Sequence, residues 1–118
     1  METQKFTAGE VLFSEDEPGT HAYILKVGNV KITKKIKDDT PRTLVTVGPG
    51  CIIGEMALVD DAPRAASAVA LEEGEAMVIT QEEFQKRLTK SDPVVVLLLK
   101  IYTDRLRQQA ENAVARMT

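Results

Sequence analysis

The hydrophobic pattern of this chain changes once, near Thr80, and this change constrains the fold more than any other feature. Before Thr80, short apolar runs are separated by turn residues such as Gly28-Asn29 and Gly48-Pro49-Gly50. Val30 and Ile32 alternate with polar neighbours, which is the period of a half-buried strand. After Thr80, apolar residues recur every three or four positions, as in helices. The pattern predicts a barrel or sandwich of short strands followed by helices.

The β part contains several predicted strands separated by polar turns. The strands are residues 10–13, two runs on either side of Gly28-Asn29, residues 43–47, and two runs on either side of Glu72-Glu73-Gly74. The charged stretch 34–42 is interpreted as a solvated hairpin tip.

Two helices are predicted after the strands. In the first, Thr80 is the N-cap and Glu83 completes a capping box. The second is capped by Ser91 or Asp92 and runs from Pro93 to near Met117. One face of it carries residues Leu99, Tyr102, Leu106, Ala110, Ala113 and Met117. This face fits packing on the barrel and a dimer seam equally well. The apolar run 94–99 is expected to be buried nearly all round, against the barrel on one side and, in a dimer, a second chain on the other.

Composition excludes several classes of function. The 118 residues suit one domain, and the net charge of −3 argues against a broad nucleic-acid surface. The polar N-terminal sequence and the short apolar run 94–99 predict neither a signal peptide nor a membrane span. One Cys and one His supply no metal cluster, and no nucleophile–base pair is evident, so an enzyme is not expected. The single Cys suits a reducing, cytoplasmic compartment.

Residues 52–67, "IIGEMALVDDAPRAAS", carry the chemistry that points to a ligand. Gly54 permits a tight turn, and residues 55–58 form a short helical run whose first N–H groups would face an anion. Arg64 offers a planar fork for phosphate oxygens and stands beside the small residues 65–67. Glu55 would repel a phosphate, so it is expected to accept a hydrogen bond from a sugar hydroxyl. Together they indicate a nucleotide monophosphate, whereas a surface pair of Arg64 with Asp60 or Asp61 would not explain the alanines.

This stretch closely resembles the phosphate-binding cassette of the cyclic nucleotide-binding domain family. The family pattern Phe-Gly-Glu-Leu-Ala-Leu, a spacer and Pro-Arg-Ala-Ala corresponds to "IGEMAL" from Ile53 and "PRAA" from Pro63. The resemblance extends over nearly the whole chain, because residues 15–32 resemble the first Gly-rich hairpin and the two helices match the B and C helices. It implies a β-roll, or jelly-roll barrel, over residues 1–79 with the cassette at 53–67, followed by the B helix and a long C helix at 80–118.

The resemblance also implies a role for each cassette residue. Glu55 would accept the ribose 2′-hydroxyl and Arg64 would pair with the cyclic phosphate. The remaining predicted site residues are the cradle N–H groups of Gly54, Met56, Ala57 and Ala65, the motif positions Leu58 and Ala66, the pocket residue Ser67, the apolar contacts Val45, Val47 and Ile53, and Arg107, with Gln108 or Gln109, over the purine.

Four further residues complete the prediction. Ala65 stands where cGMP-preferring members of the family often have Thr or Ser, which favours cAMP over cGMP. Ile53 replaces the usual Phe, and Cys51, where the family often has Asp, is interpreted as a packed small residue. His21 is interpreted as a surface turn residue.

The leading functional hypothesis is a cyclic nucleotide sensor without catalysis or cofactor. Binding would draw in the C-terminal helix as a lid and relay the signal to an effector protein or domain, or to a homodimer partner. Two alternatives are the ligand-binding part of a catabolite-activator-type transcription factor, whose DNA-binding domain would follow this chain, and a vestigial β-barrel that serves as an interaction platform.

Overall fold

The computed structural model describes residues 1–59 and 62–117, with side chains for 1–59 and 62–113. Within these ranges the chain forms eight strands and three helices. The strands are β1 (Glu2–Phe6), β2 (Val11–Phe13), β3 (His21–Val27), β4 (Val30–Lys35), β5 (Pro41–Val47), β6 (Ile52–Ile53), β7 (Ser67–Ala70) and β8 (Gly74–Thr80). The helices are α1 (Met56–Val59), α2 (Gln81–Leu88) and α3 (Pro93–Met117).

The strands form two four-stranded antiparallel sheets, in the orders β1-β8-β3-β6 and β2-β7-β4-β5. Neighbours in each sheet are mostly distant in sequence, so the chain crosses repeatedly between the sheets, as in a jelly roll. β6 and β5 are the outer strands of their sheets. This confirms the predicted mainly β fold with C-terminal helices.

The core lies between the two sheets and draws on both. Its largest fully buried side chains include Phe6 and Leu25 from the first sheet and Val30 from the second. Small residues on the central strands, Ala68, Ala70 and Ala76, allow the sheets to approach closely. A smaller cluster of Ala22, Leu58 and Ile79 packs with Phe84 and joins the barrel to α1 and α2.

Both predicted helix caps are confirmed. The Thr80 hydroxyl accepts a hydrogen bond from the N–H of Glu83 at 3.1 Å. The Asp92 carboxylate accepts one from the N–H of Val94 at 2.8 Å, so Asp92 rather than Ser91 starts α3. None of the described helices combines the length and hydropathy needed to cross a membrane.

The strand prediction was incomplete in three places. β1 and β6 were missed, because β1 is largely polar and β6 has only two residues. β1 forms because it pairs along its whole length with β8 and ends in the buried Phe6. β5 begins at Pro41 rather than residue 43, since Pro41 and Arg42 pair with Lys35 and Lys34.

The start of α3 is not buried all round within one chain, so the predicted burial of its outer side would require a partner. Val94 and Leu97 are 63% and 58% exposed, and most of the run 94–99 faces outward. The side of α3 that turns inward instead includes Val96, Leu99 and Thr103, whose hydroxyl donates to the Leu99 carbonyl at 2.7 Å. Of the predicted apolar face, Tyr102 and Leu106 are exposed, Leu99, Ala110 and Ala113 are half-buried, and the Met117 side chain lies outside the described residues.

Candidate functional site

A cavity of about 210 Å³ lies where the outer strands β5 and β6 meet the segment that carries α1. Its lining is Phe13, Ile32, Val45, Val47, Ile52, Ile53, Gly54, Glu55, Met56, Ala57, Arg64, Ala65, Ala66 and Arg107. The wall is mostly aliphatic, and the charged groups are one acid, Glu55, and two arginines. A small apolar cavity with few convergent polar groups is typical of a small-molecule site.

The structure brings most of the predicted site residues together, but Leu58 and Ser67 are not among them. Leu58 is 1% exposed and packs against Ala22 and Ile79, because it lies on the side of α1 that faces the barrel. The Ser67 hydroxyl accepts a hydrogen bond from the N–H of Glu15 at 2.8 Å. Their predicted places in the pocket were therefore wrong.

Three further residues line the cavity that the sequence analysis did not single out: Phe13, Ile32 and Ile52. Ile32 pairs with Val45 across the β4–β5 ladder, so the two side chains share one face of the sheet. That alternation was available in the sequence. The approach of Phe13 depends on the fold and left no local signal.

Arg64 is the centre of the site. It is 4% exposed, and its two terminal nitrogens donate to the carbonyls of Gly54 at 3.1 Å and of His21 at 2.7 Å. The guanidinium lies over the Phe13 ring, 4.3 Å from its centroid, in a cation–π contact. The interpretation of Arg64 as a surface residue is excluded by this burial, while Asp60 and Asp61 lie outside the described residues.

The charge of Arg64 is not neutralised within the described part of the chain. It forms no ion pair with a described carboxylate, and its buried Nε–H has no hydrogen-bond partner there. Burial is the largest cause that lowers the pKa of Arg64, yet an arginine stays protonated in proteins. A buried cation of this kind is costly unless an anion accompanies it.

Two glycines make room for the guanidinium. Gly54 has a φ of 75°, and a Cβ there would lie 2.5 Å from the Nη1 of Arg64. A Cβ on Gly19 would clash with the Ala57 side chain and lie 3.0 Å from the Arg64 Nε. The sequence predicted a tight turn at Gly54, but not the closeness of Gly54 to the guanidinium or the role of Gly19, which lies far away in the chain.

Glu55 lies half-buried at the start of the turn into α1 and lines the same cavity as Arg64. Its carboxylate makes no hydrogen bond or ion pair with any residue that the structure describes, although its charge is close enough to stabilise the Arg64 cation. The cavity therefore presents a hydrogen-bond acceptor beside a buried cation.

Arg107 connects α3 to the site. Its Nη1 donates to the carbonyl of Pro63 at 2.9 Å, and its side chain lines the cavity. The bond joins the middle of α3 to the residue just before Arg64. Gln108 does not line the cavity, and its amide instead reaches the Asp104 carboxylate at 3.4 Å. Gln109 is exposed.

His21 and Tyr23 lie behind the guanidinium. The His21 Nε2 and the Tyr23 hydroxyl are 2.8 Å apart, and that hydroxyl donates to the Leu12 carbonyl at 3.3 Å. Burial lowers the pKa of His21, and the Arg64 charge lowers it further. Burial also raises the pKa of Tyr23. The prediction of a surface turn residue was wrong, since His21 begins β3 and is half-buried.

Two other sequence interpretations change. Cys51 is exposed rather than packed, because it precedes the edge strand β6 in the turn after Gly50. In the stretch 34–42, Lys34 is largely buried, so that part of the hairpin is not a solvated tip.

Among residues 1–59 and 62–117, no three His, Cys, Asp or Glu side chains come together as a metal site requires.

Comparison with known proteins gives matches that cover most of the chain, including the cavity. A model of the cyclic nucleotide-binding domain matches residues 3–91. The chain is 30% identical over 107 residues to the CRP-like cAMP-activated global transcriptional regulator of Mycobacterium tuberculosis, covering 91% of this chain and 48% of that protein. It is 36% identical over 95 residues to a cAMP-dependent protein kinase regulatory subunit of Pyricularia oryzae, covering 80% of this chain and 24% of that protein. The chain thus spans half or less of the length of these relatives.

Solved structures agree with the sequence comparison. The cAMP-bound form of the EAL enzyme Bd1971 superposes with a TM-score of 0.87 at 33% identity, covering 98% of this chain and 30% of that chain. The catabolite activator protein of Thermus thermophilus superposes with a TM-score of 0.73 at 25% identity, covering 98% of this chain and 53% of that chain.

The single histidine permits a direct test of the electrostatics behind Arg64. We expect an NMR titration to give a pKa for His21 below its ordinary value of 6.5. The unfolded chain then takes up a proton first as the pH falls, so the free energy of unfolding decreases below about pH 6.5. The chain in urea supplies the reference value. A folded-state pKa equal to or above that reference would contradict the geometry described for His21.

Proposed function

This chain belongs to the cyclic nucleotide-binding domain family, and on that premise we propose that it is a sensor module that binds cAMP in preference to cGMP. The observation that carries the proposal is the buried, unneutralised Arg64 cation in an apolar cavity. A cyclic phosphate carries one negative charge, which would neutralise one guanidinium without adding a second charge close to Glu55.

The phosphate would bind at the Arg64 guanidinium and the sugar at the Glu55 carboxylate. The Arg64 guanidinium would donate to the cyclic phosphate, assisted by backbone N–H groups of the cassette at Gly54, Met56, Ala57 and Ala65. The Glu55 carboxylate would accept the ribose 2′-hydroxyl, since a carboxylate without a partner among the described residues seeks a donor. The proposal is supported by the location of all these residues on one cavity.

The purine would contact the aliphatic wall. Val45 and Val47 on β5 and Ile53 on β6 were predicted to contact the base or the sugar, and Ile32 lines the cavity beside them. Ala65 supports cAMP over cGMP, because a methyl group offers no hydroxyl to the guanine. Arg107 would lie at the mouth of the cavity and link the bound nucleotide to α3.

The module would act by regulation rather than catalysis. The proposed contacts with phosphate and ribose give Arg64 and Glu55 binding roles that involve no reaction. The relatives named above include a transcriptional regulator and a kinase regulatory subunit. Movement of α3 would present a changed surface to an effector protein or domain. The effector and the cytoplasmic location stay predictions.

Calorimetric titration of the chain with cAMP, cGMP, 2′-deoxy-cAMP and 5′-AMP tests the proposal. We expect cAMP to bind most tightly and cGMP more weakly. Loss of the 2′-hydroxyl should weaken binding because Glu55 loses its donor. The open phosphate of 5′-AMP should also weaken binding, because it adds a negative charge near Glu55. Equal affinity for cAMP and 5′-AMP, or no binding of any of them, would overturn the proposal.

Replacement of Arg64 by Ala tests the phosphate contact directly. We expect Arg64→Ala to weaken cAMP binding by about 2–5 kcal/mol, the usual loss when one side of a desolvated charge pair is removed. The exposed Arg42 on β5 gives the matched control, and Arg42→Ala should bind as the unchanged chain does. Circular dichroism and urea unfolding report whether the variants fold. A folded Arg64→Ala chain with unchanged affinity would refute the phosphate contact.

The exposed outer side of α3 is consistent with a homodimer formed through this helix. Val94, Leu97, Leu98, Ile101 and Tyr102 are exposed on this helix, and such continuous apolar surfaces usually mark an interface. An isologous dimer would bury the same side of both helices.

Light scattering tests this dimer and should give twice the chain mass of 13.0 kDa. We expect Leu97→Asp to give the monomer and Lys100→Ala to leave the dimer intact, whereas a monomeric unchanged chain would exclude it.

A further inference from the structure

Two charged residues outside the cavity are almost buried behind the cassette. Lys34 on β4 and Glu15 in the turn between β2 and β3 form an ion pair of 3.3 Å, with side chains 14% and 11% exposed. By contrast, the side chains of the Lys26–Glu75 pair are 48% and 31% exposed. Neither Lys34 nor Glu15 lines the cavity, and the proposed function assigns them no role.

Both residues bind the chain immediately after Arg64. The Lys34 Nζ donates to the carbonyl of Ala65 at 2.7 Å. The backbone N–H of Glu15 donates to the Ser67 hydroxyl at 2.8 Å, and its carboxylate accepts the N–H of Lys35 at 2.9 Å. The pair is therefore fixed to β4 on one side and to the cassette on the other.

The turn that carries Glu15 also holds the backbone of Arg64. The N–H of Asp16 donates to the Arg64 carbonyl, and the N–H of Arg64 donates to the Glu17 carbonyl, both at 2.9 Å. Asp16 reaches this position with a φ of 72°, in the left-handed region that is unfavourable for most residues. Asp is one of the few residues that tolerate this conformation, so the turn can hold the Arg64 backbone in this way.

The bond to Ala65 has a directional consequence. In a trans peptide the C=O and the next N–H point in opposite directions, and the described chain contains no cis peptide. Because Lys34 does not line the cavity, its bond would turn the Ala65 carbonyl out of the cavity and the Ala66 N–H towards it. Ala65 and Ala66 both line the cavity. An N–H held in this way is a donor already oriented for an anion.

We infer that Lys34, supported by Glu15, is a positioning residue that fixes the Ala65–Ala66 peptide so that its N–H donates to the ligand phosphate beside Arg64. This inference rests on the proposed function. A buried ion pair adds little net stability compared with apolar residues of similar size. Its role here is to hold one peptide in one orientation.

The test compares Lys34→Met with the matched control Lys26→Met by calorimetry. The ligands are cAMP and the Sp and Rp phosphorothioate diastereomers, in which sulfur replaces one or the other exocyclic phosphate oxygen. We expect Lys34→Met to weaken cAMP binding by about tenfold, on the scale of one hydrogen bond to a charged group. The ratio of Sp to Rp affinities should also change, since the two oxygens have different donors. Lys26→Met should alter neither quantity.

The diastereomer ratio separates positioning from general destabilisation. A variant that is only less stable loses affinity for all three ligands in the same proportion, so an unchanged ratio would overturn the inference. Unchanged cAMP affinity would do the same. If Lys34→Met does not fold, Glu15→Gln removes the carboxylate charge that holds Lys34 while keeping the size of the side chain, and this variant is judged by the same ratio. Failure of the unchanged chain to bind cAMP would instead show that the proposed function itself is wrong.

Discussion

The burial of one guanidinium constrains the rest of this structure. Arg64 can remain charged inside an apolar cavity because two backbone carbonyls, of Gly54 and His21, and the face of Phe13 surround it. Each of these neighbours comes from a different part of the chain, so the two sheets must be closed before the arginine is satisfied. Gly19 is required for the same reason, because a side chain there would occupy the space of the guanidinium.

The position of the cavity follows from the sheet order. A ligand site cannot form in the centre of the roll, where small alanines let the two sheets pack tightly. It forms at the outer strands β5 and β6, where Val45 and Ile52 remain half-exposed and the sheets end. The apolar wall therefore comes from strands and the polar groups from the loop beside them, a division that lets the loop change ligand chemistry while the strands keep the fold.

The sequence predicted those features that depend on local chemistry. The change of period at Thr80 and both helix caps depend on spacing and residue type, and the structure confirms them. Most of the cassette residues predicted for the site line one cavity, but Leu58 and Ser67 do not. β1 and the burial of Lys34 could not be predicted in this way. The polar edge strand β1 forms through its pairing with β8, which local sequence does not show. Lys34 lies within a charged stretch, and its burial depends on contact with Glu15, 19 positions away in the chain. Leu58 shows the same limit, because either side of a short helix could face the ligand.

The cassette is held by the fold on two sides, and this determines how binding could be transmitted. On one side Lys34 and residues 14–17 anchor it to the barrel through several short hydrogen bonds. On the other side Arg107 of α3 donates to the Pro63 carbonyl at 2.9 Å, at a solvent-exposed position where water competes for the same groups. If a bound ligand moves the cassette, this bond would couple the movement to α3. By linkage, whatever fixes the helix would then change the affinity for the ligand in equal measure.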